Sequence, residues 1–225
     1  MRRGDVLSLR IPEFTDSQAG HRSRLLVGGG GIGTSGGVKA AQGDSAAAVL
    51  YRNGRKTAEA DSAWTDFEVP SGAADYRLDL TTSRVSQEWA YGTGTETSWS
   101  FRSGGTGGTD AATTLPLLQL DYDVPVDAYN AVRSGRTHTV GLSVRAQDAL
   151  AAPRGVSVQV EASYDGGGSW SRAEVKDRGH NVFEAVVKKP SRVRGDAYVT
   201  LRVTARDAAG NSVRQTVQRA YLHRG

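Results

Sequence analysis

Apolar and polar residues alternate along most of this chain. In Val6-Leu7-Ser8-Leu9-Arg10-Ile11, the side chains of Leu7, Leu9 and Ile11 fall on one face. The same period of two runs through Tyr76-Arg77-Leu78-Asp79-Leu80, Val140-Gly141-Leu142-Ser143-Val144-Arg145, Val156-Ser157-Val158-Gln159-Val160-Glu161 and Val199-Thr200-Leu201-Arg202-Val203-Thr204-Ala205. Such alternation sets one face on a core and the other in water, as antiparallel strands do. Between Ala48-Val49-Leu50-Tyr51-Arg52 and Arg55-Lys56 stands Asn53-Gly54, the strongest short-range hairpin signal, because both residues accept positive φ. No segment sustains apolar residues at i, i+3 and i+4. The pattern predicts an all-β fold.

Gly104-Gly105-Thr106-Gly107-Gly108-Thr109 interrupts the pattern with residues that bring almost nothing to bury, and it reads as a flexible tether. Residues 1–103 are then expected to form a first β-sandwich, jelly-roll-like or Ig-like. Residues 104–114 form a linker, and residues 115–225 a second, Ig/fibronectin III-like β-sandwich. Each half is near the roughly 100 residues of one such module. The 28 glycines in 225 residues fit this picture of short strands and many turns, since Gly costs about 1 kcal/mol against Ala inside a helix.

Charge adds little. The net charge of +4 comes from 28 basic residues interleaved with 24 acids, whereas nucleic-acid binding clusters its cations on one face. The lysines are Lys39, Lys56, Lys176, Lys188 and Lys189, and the remaining cations are Arg, a bias expected of high-GC coding. With no cysteine there is no disulfide, thiolate metal site or Cys nucleophile. Met1-Arg2-Arg3 begins like a signal-peptide n-region, but no apolar segment follows, and no run is long enough to span a bilayer. Neither a nucleic-acid partner nor a membrane span is expected.

Three motifs invite a chemical reading. Leu25-Leu26-Val27 followed by Gly28-Gly29-Gly30-Gly31-Ile32-Gly33 satisfies G-x-G-x-x-G after an apolar strand. A dinucleotide site also needs a helix N-terminus to meet the pyrophosphate. Here Gly36, Gly37 and Gly43 follow, so a Gly-rich loop is expected instead. Gly33-Thr34-Ser35 echoes the approach to a subtilisin nucleophile, yet Gly36 and Gly37 replace the helix formers that should come next. Of the four histidines, His21, His138, His180 and His223, none lies in a motif that positions a base for a serine. Asp121-Tyr122-Asp123 with Asp127, and the Asp207-Ala208-Ala209-Gly210-Asn211 turn, offer oxygens of the kind Ca²⁺ prefers, but Asp and Asn are equally favoured in turns for their own backbone bonds. No catalytic, cofactor-binding or metal residue is assigned, and no cofactor is expected, with Ca²⁺ the one alternative.

Ser163-Tyr164-Asp165-Gly166-Gly167-Gly168-Ser169-Trp170 matches the Asp-box hairpin, Ser-x-Asp-x-Gly-x-Thr-Trp, with Ser169 in place of Thr. The expected role is structural: Asp165 ties backbone N–H groups across the turn while Trp170 turns back onto the core. There is a single copy and no repeat of blade length. An exposed Trp170 would instead serve as a sugar platform.

Several phrases in order resemble one family. They are Gly4-Asp5-Val6-Leu7-Ser8-Leu9-Arg10-Ile11-Pro12 with Thr15-Asp16-Ser17 and Gly20-His21, Leu50-Tyr51-Arg52-Asn53-Gly54-Arg55-Lys56, Ala74-Asp75-Tyr76-Arg77-Leu78, Trp99-Ser100-Phe101-Arg102-Ser103, and Leu115-Pro116-Leu117. Together they look like the C-terminal extension of large subtilisin-like (S8) serine peptidases of high-GC Gram-positive bacteria. Val203-Thr204-Ala205-Arg206-Asp207-Ala208-Ala209-Gly210-Asn211 also resembles the closing strand of Ig-like or fibronectin-like domains. The peptidase's catalytic segments are absent, so no catalytic residue carries over. The resemblance implies a non-catalytic accessory region of an extracellular peptidase that positions substrate, stabilises the catalytic domain or attaches to a surface. Its partners would be a subtilisin-like catalytic domain or a protein or peptide substrate. The alternative is a free-standing carbohydrate-binding or adhesion module that takes a cell-surface glycan.

Overall fold

The computed structural model describes residues 1–12, 14–15, 22–23, 45–84, 89–105, 111–133 and 135–225, with only the backbone described at 14–15 and 22–23. Among these residues every regular element is a strand. The first half carries β1 (Arg2–Arg3), β2 (Val6–Arg10), β3 (Phe14–Thr15), β4 (Arg22–Ser23), β5 (Ser45–Arg52), β6 (Arg55–Ala60), β7 (Trp64–Glu68), β8 (Ala74–Ser83) and β9 (Gly94–Ser103). The second carries β10 (Gln119–Asp123), β11 (Ala131–Val132), β12 (Thr137–Arg145), β13 (Ser157–Ser163), β14 (Ser171–Arg172), β15 (Glu174–Gly179), β16 (Val182–Lys188), β17 (Ala197–Arg206) and β18 (Ser212–His223). The all-β expectation holds, and the Asn53-Gly54 hairpin forms between β5 and β6 with φ of 50° and 79° at its two turn residues.

One long sheet runs β14-β13-β17-β18-β9-β8-β5-β6, with β11 paired in parallel to β18. It passes through both halves of the chain. β9 and β18 pair antiparallel from Gly94↔Gln218 to Ser100↔Ser212 without a shift of register. The halves flanking residues 104–114 are therefore joined by a hydrogen-bonded seam, not only by the chain. Residues beside the Gly/Thr stretch are also tied down. The Gly105 amide donates to the Ser71 carbonyl at 2.7 Å, and Leu115, Leu117 and Leu118 are buried. Residues 106–110, the middle of the predicted tether, lie outside the described residues.

Two smaller sheets cover the apolar face of the long one. The first, β1-β2-β7, contributes Leu7, Leu9 and Phe67; the second, β10-β12-β16-β15, contributes Val140, Leu142, Val144, Phe183 and Val187. Against them stand Leu50, Tyr76, Leu78, Leu80 and Phe101 from one side of the seam and Val160, Leu201, Val203 and Val213 from the other, all in one contiguous core. Arg2, which the sequence presents as part of a cationic start, is 1% exposed. Its guanidinium donates to the carbonyls of Pro70 (2.7 Å), Ser71 (3.2 Å) and Gly4 (3.0 Å) and to the Tyr76 hydroxyl (3.3 Å). Carbonyl dipoles replace the lost water, so the buried cation needs no carboxylate.

A shared core and a shared sheet make a lesion in one half felt in the other. Leu201→Ala, which opens a cavity in β17, is expected to cost about 2–5 kcal/mol. Hydrogen exchange should show protection falling together in β8 and β17; loss confined to the second half would contradict the common sheet.

Candidate binding cleft

Among the described residues the two cover sheets share no strand pairing. Between them the inner face of the seam lies open as the floor of a cleft of about 380 Å³. Thr95, Thr97 and Trp99 of β9 and Val213 and Gln215 of β18 form that floor. One wall is the end of β2 with Ile11 and Pro12; the other is β10 and the Leu117–Leu118 approach to it.

Period two explains why polar groups sit on the floor. Thr97 and Gln215 occupy core-facing positions of their strands, and they are satisfied by one another rather than by water. The Gln215 side-chain amide donates to Thr97 Oγ1 at 2.9 Å, and its Oε1 accepts from the Tyr122 hydroxyl at 2.9 Å. Thr82 and Thr95 share a hydroxyl–hydroxyl bond of 2.7 Å. Burial, and then the Asp121 charge, push the Tyr122 phenol well above its ordinary value, so it stays a donor at any physiological pH. The Trp99 indole N–H donates to the Leu118 carbonyl at 2.9 Å, which pins the entry to β10 onto the floor.

The rim carries charge, with two carboxylates against Arg145. Arg145 Nε holds Asp121 at 2.7 Å and its Nη1 lies 3.8 Å from Asp148, while Arg10 holds Asp66 at 3.0 Å and lies over the Trp64 ring. The result is a preformed recess with apolar walls and a satisfied polar floor, the usual chemistry of a binding site. No histidine lines it.

His138 and His223 are instead brought together at the far end of the second half, buried between β12 and β18. His138 Nε2 lies 2.5 Å from the Tyr221 hydroxyl, and its ring meets that of His223 edge-to-face at 4.8 Å. His223 Nε2 donates to the Gly135 carbonyl at 3.0 Å, so in the neutral ring Nδ1 accepts from the Tyr164 hydroxyl at 2.9 Å. Burial, and then neighbouring His223, push the His138 imidazole down to about 4. These rings join sheets, through Tyr221, Tyr164 and the Gly135 carbonyl. His180 sits in a surface turn at positive φ. His21, Ser35 and the Gly28–Gly33 run lie outside the described residues.

Residues 163–170 fold as a self-bonded hairpin. Asp165 accepts from the Ser163 hydroxyl (2.7 Å), the Ser169 amide (2.8 Å) and the Ser169 hydroxyl (2.5 Å), while Gly166 and Gly167 take φ of 69° and 101°. Those bonds, led by the Ser169 hydroxyl, hold the Asp165 carboxyl down to about 2. Trp170 is neither fully buried nor free. Its N–H donates to the Gly167 carbonyl, and the Arg202 guanidinium covers its ring at 3.6 Å, held in turn by Glu161. A sugar platform needs that ring face open.

Three of the carboxylates considered for Ca²⁺ have other partners, and Asp123 lies exposed at the end of β10. Asp121 holds Arg145, Asp127 accepts from the Tyr129 and Ala131 amides and Arg133, and Asp207 caps its own turn through Asn211. Among the described residues no group of three or more His, Asp or Glu is placed to hold a metal ion. No protein-family model matches the chain, and no curated protein matches it. The cleft left no mark in the sequence reading; its one signal was Tyr122, an aromatic between two acids in a strand pattern.

Two measurements follow from this geometry. Because the folded pKa of His138 lies below its unfolded value of about 6.5, the unfolded chain binds the extra proton. Stability is therefore complete above pH 6.5 and is lost as the pH falls toward 4, by about 3 kcal/mol from this ring. Urea unfolding at stepped pH should show the decline, and His138→Gln should flatten it. Separately, Asp165→Ala should abolish exchange protection of the Ser169 amide while leaving the β12–β16 ladder protected.

Proposed function

We propose that this chain is a non-catalytic accessory region that works beside a subtilisin-like serine peptidase domain outside the cell and handles that enzyme's protein substrate. The observation that carries the reading is the cleft: a preformed recess whose floor groups bond one another and whose rim arginines are each held by a carboxylate. Such a surface binds; it does not activate a nucleophile or stabilise a developing charge. The two buried histidines support the same reading, because their rings meet edge-to-face and His138 bonds the Tyr221 hydroxyl of β18. The order of phrases from Gly4 to Leu117 supplies the peptidase context.

The alternative, a carbohydrate-binding or adhesion module, draws on the Asp-box hairpin and on the Tyr and Trp residues, and the Arg202 guanidinium over the Trp170 ring weighs against that ring as its platform.

Purified chain should leave casein intact. Fused to a subtilisin-type catalytic domain, it should lower KM for casein while leaving KM for a short chromogenic peptide unchanged. Casein hydrolysis by the chain alone, abolished by a serine-directed inhibitor, would refute the proposal. So would identical KM values with and without the fusion.

A further inference from the structure

β18 is one strand by hydrogen bonding and two limbs by partnership. Its near limb, residues 212–217, lies between β9 and β17 in unbroken register. Then the ladder with β17 slips: Leu201 stands opposite Val217, and Val199 opposite Tyr221. Arg219, inside the slip, takes φ of 49°, left-handed backbone that a residue with a Cβ adopts at a cost. Beyond it the far limb, residues 221–223, leaves β9 and pairs with the start of β17 and with β11. A bulge thus separates a limb that belongs to the seam from one that does not.

Two histidines hold the far limb. His223 stands on it and His138 on β12, their rings 4.8 Å apart, and Tyr221 of the limb bonds His138. The Tyr164 hydroxyl and the Gly135 carbonyl occupy both nitrogens of His223. His138 Nδ1 is buried without a partner. A proton added to His138 leaves an N–H there with nothing to accept it, and sets a cation against His223 away from water. Among the described residues no carboxylate bonds the His138 ring. Facing it from β18 are Tyr221 and His223, with Tyr164 behind His223. From β16 the residue opposite is Val187; Lys188 beside it is exposed, and Lys189 turns to the Gly195 carbonyl. On β10 the last acid in register is Asp123, opposite Gly141. Arg136 is exposed, while Arg133 is held by Asp127 and Arg224 by Asp196.

We propose that the far limb of β18 is an acid-released latch: protonation at the His138–His223 contact swings it about the Arg219 hinge, away from β11 and the start of β17, while the near limb stays in the seam. Val213 and Gln215, on the cleft floor, belong to the near limb, so the cleft keeps its shape when the latch opens. The latch stands apart from the peptidase context, since it concerns how the fold opens and not what it meets. In the closed state burial, and then His223, push the His138 imidazole down to about 4; released into water, the ring returns to about 6.5. The open limb therefore binds the extra proton. Closure is complete above about pH 6.5, and opening gains about tenfold for each pH unit below it, toward about pH 4.

Native-state hydrogen exchange on the ¹⁵N-labelled full chain tests the latch. The reporters are the Leu222 and Arg224 amides, which donate to the Asn130 and Val132 carbonyls and so follow the far limb. At neutral pH their protection factors should lie at least about tenfold below those of the β9–β18 ladder, and should fall about tenfold per unit from about pH 6.5 to about pH 5. Low urea should leave the reporters nearly unchanged while it speeds exchange in the ladder, because opening one limb exposes little surface. His138→Gln should make reporter protection independent of pH; if that variant does not fold, the urea and pH series on the unaltered chain still decide. Equal protection of reporters and ladder at every pH would overturn the proposal, by making β18 a single unit. So would reporter protection that does not respond to pH, which leaves only a strand end that frays.

Discussion

Pairing of β9 with β18 constrains everything else in this molecule. The ladder turns two sets of strands, far apart in the chain, into a single surface, and both cover sheets pack on its apolar face, one on each side of the seam. Tyr76, Leu78 and Phe101 on one side and Leu201, Val203 and Val213 on the other belong to one core because the ladder carries the apolar face across without a break. The cleft is a by-product of the same constraint. Two small sheets with no strand pairing between them leave a cleft on the long sheet, and it falls over the seam.

Polar groups in the interior divide by the neighbours they face. On the cleft floor, Thr97, Gln215 and Tyr122 form a connected chain of bonds beside open space, and fixed dipoles of this kind orient a visitor without ordering cost. At the His138–His223–Tyr164–Tyr221 cluster the same residue types are closed off between strands, and the His138 Nδ1 atom finds no partner. Leaving one donor or acceptor unmet in a core opposes folding. The edge-to-face contacts of His138 with Tyr221 and His223 offset part of that cost and leave the ring neutral.

Local order was readable from the chain, and long-range partnering was not. The period of two marks β2, β8, β12, β13 and β17, and Asn53-Gly54 marks its hairpin, because both signals depend only on residues that are neighbours in sequence. Period two also places His138 on the buried face, two positions before Val140, although its polarity reads as a strand start in water. Nothing in Gly94–Ser103 says that its partner lies in the other half. A strand alternates in the same way whatever it pairs with, and two stretches of module size on either side of a Gly/Thr run look self-sufficient. The cleft was hidden for the same reason, since its floor and its walls come from segments that only the ladder brings together. Asp121-Tyr122-Asp123 reads as a cluster of oxygens until the strand places Asp121 on Arg145 and turns Tyr122 inward to Gln215.

The seam also sets the order in which the chain can finish folding. β9 is complete roughly a hundred positions before its partner begins. During synthesis its ten residues present an unpaired edge, with Trp99 and Phe101 on the adjoining apolar face, for as long as the ribosome needs to make the rest. Closing so long a loop is the slow, entropically costly kind of contact. Misassembly therefore has one favoured form: the β9 edges of two nascent chains meeting before β18 arrives. A truncation that spares the whole first half but removes the last strand produces that species permanently.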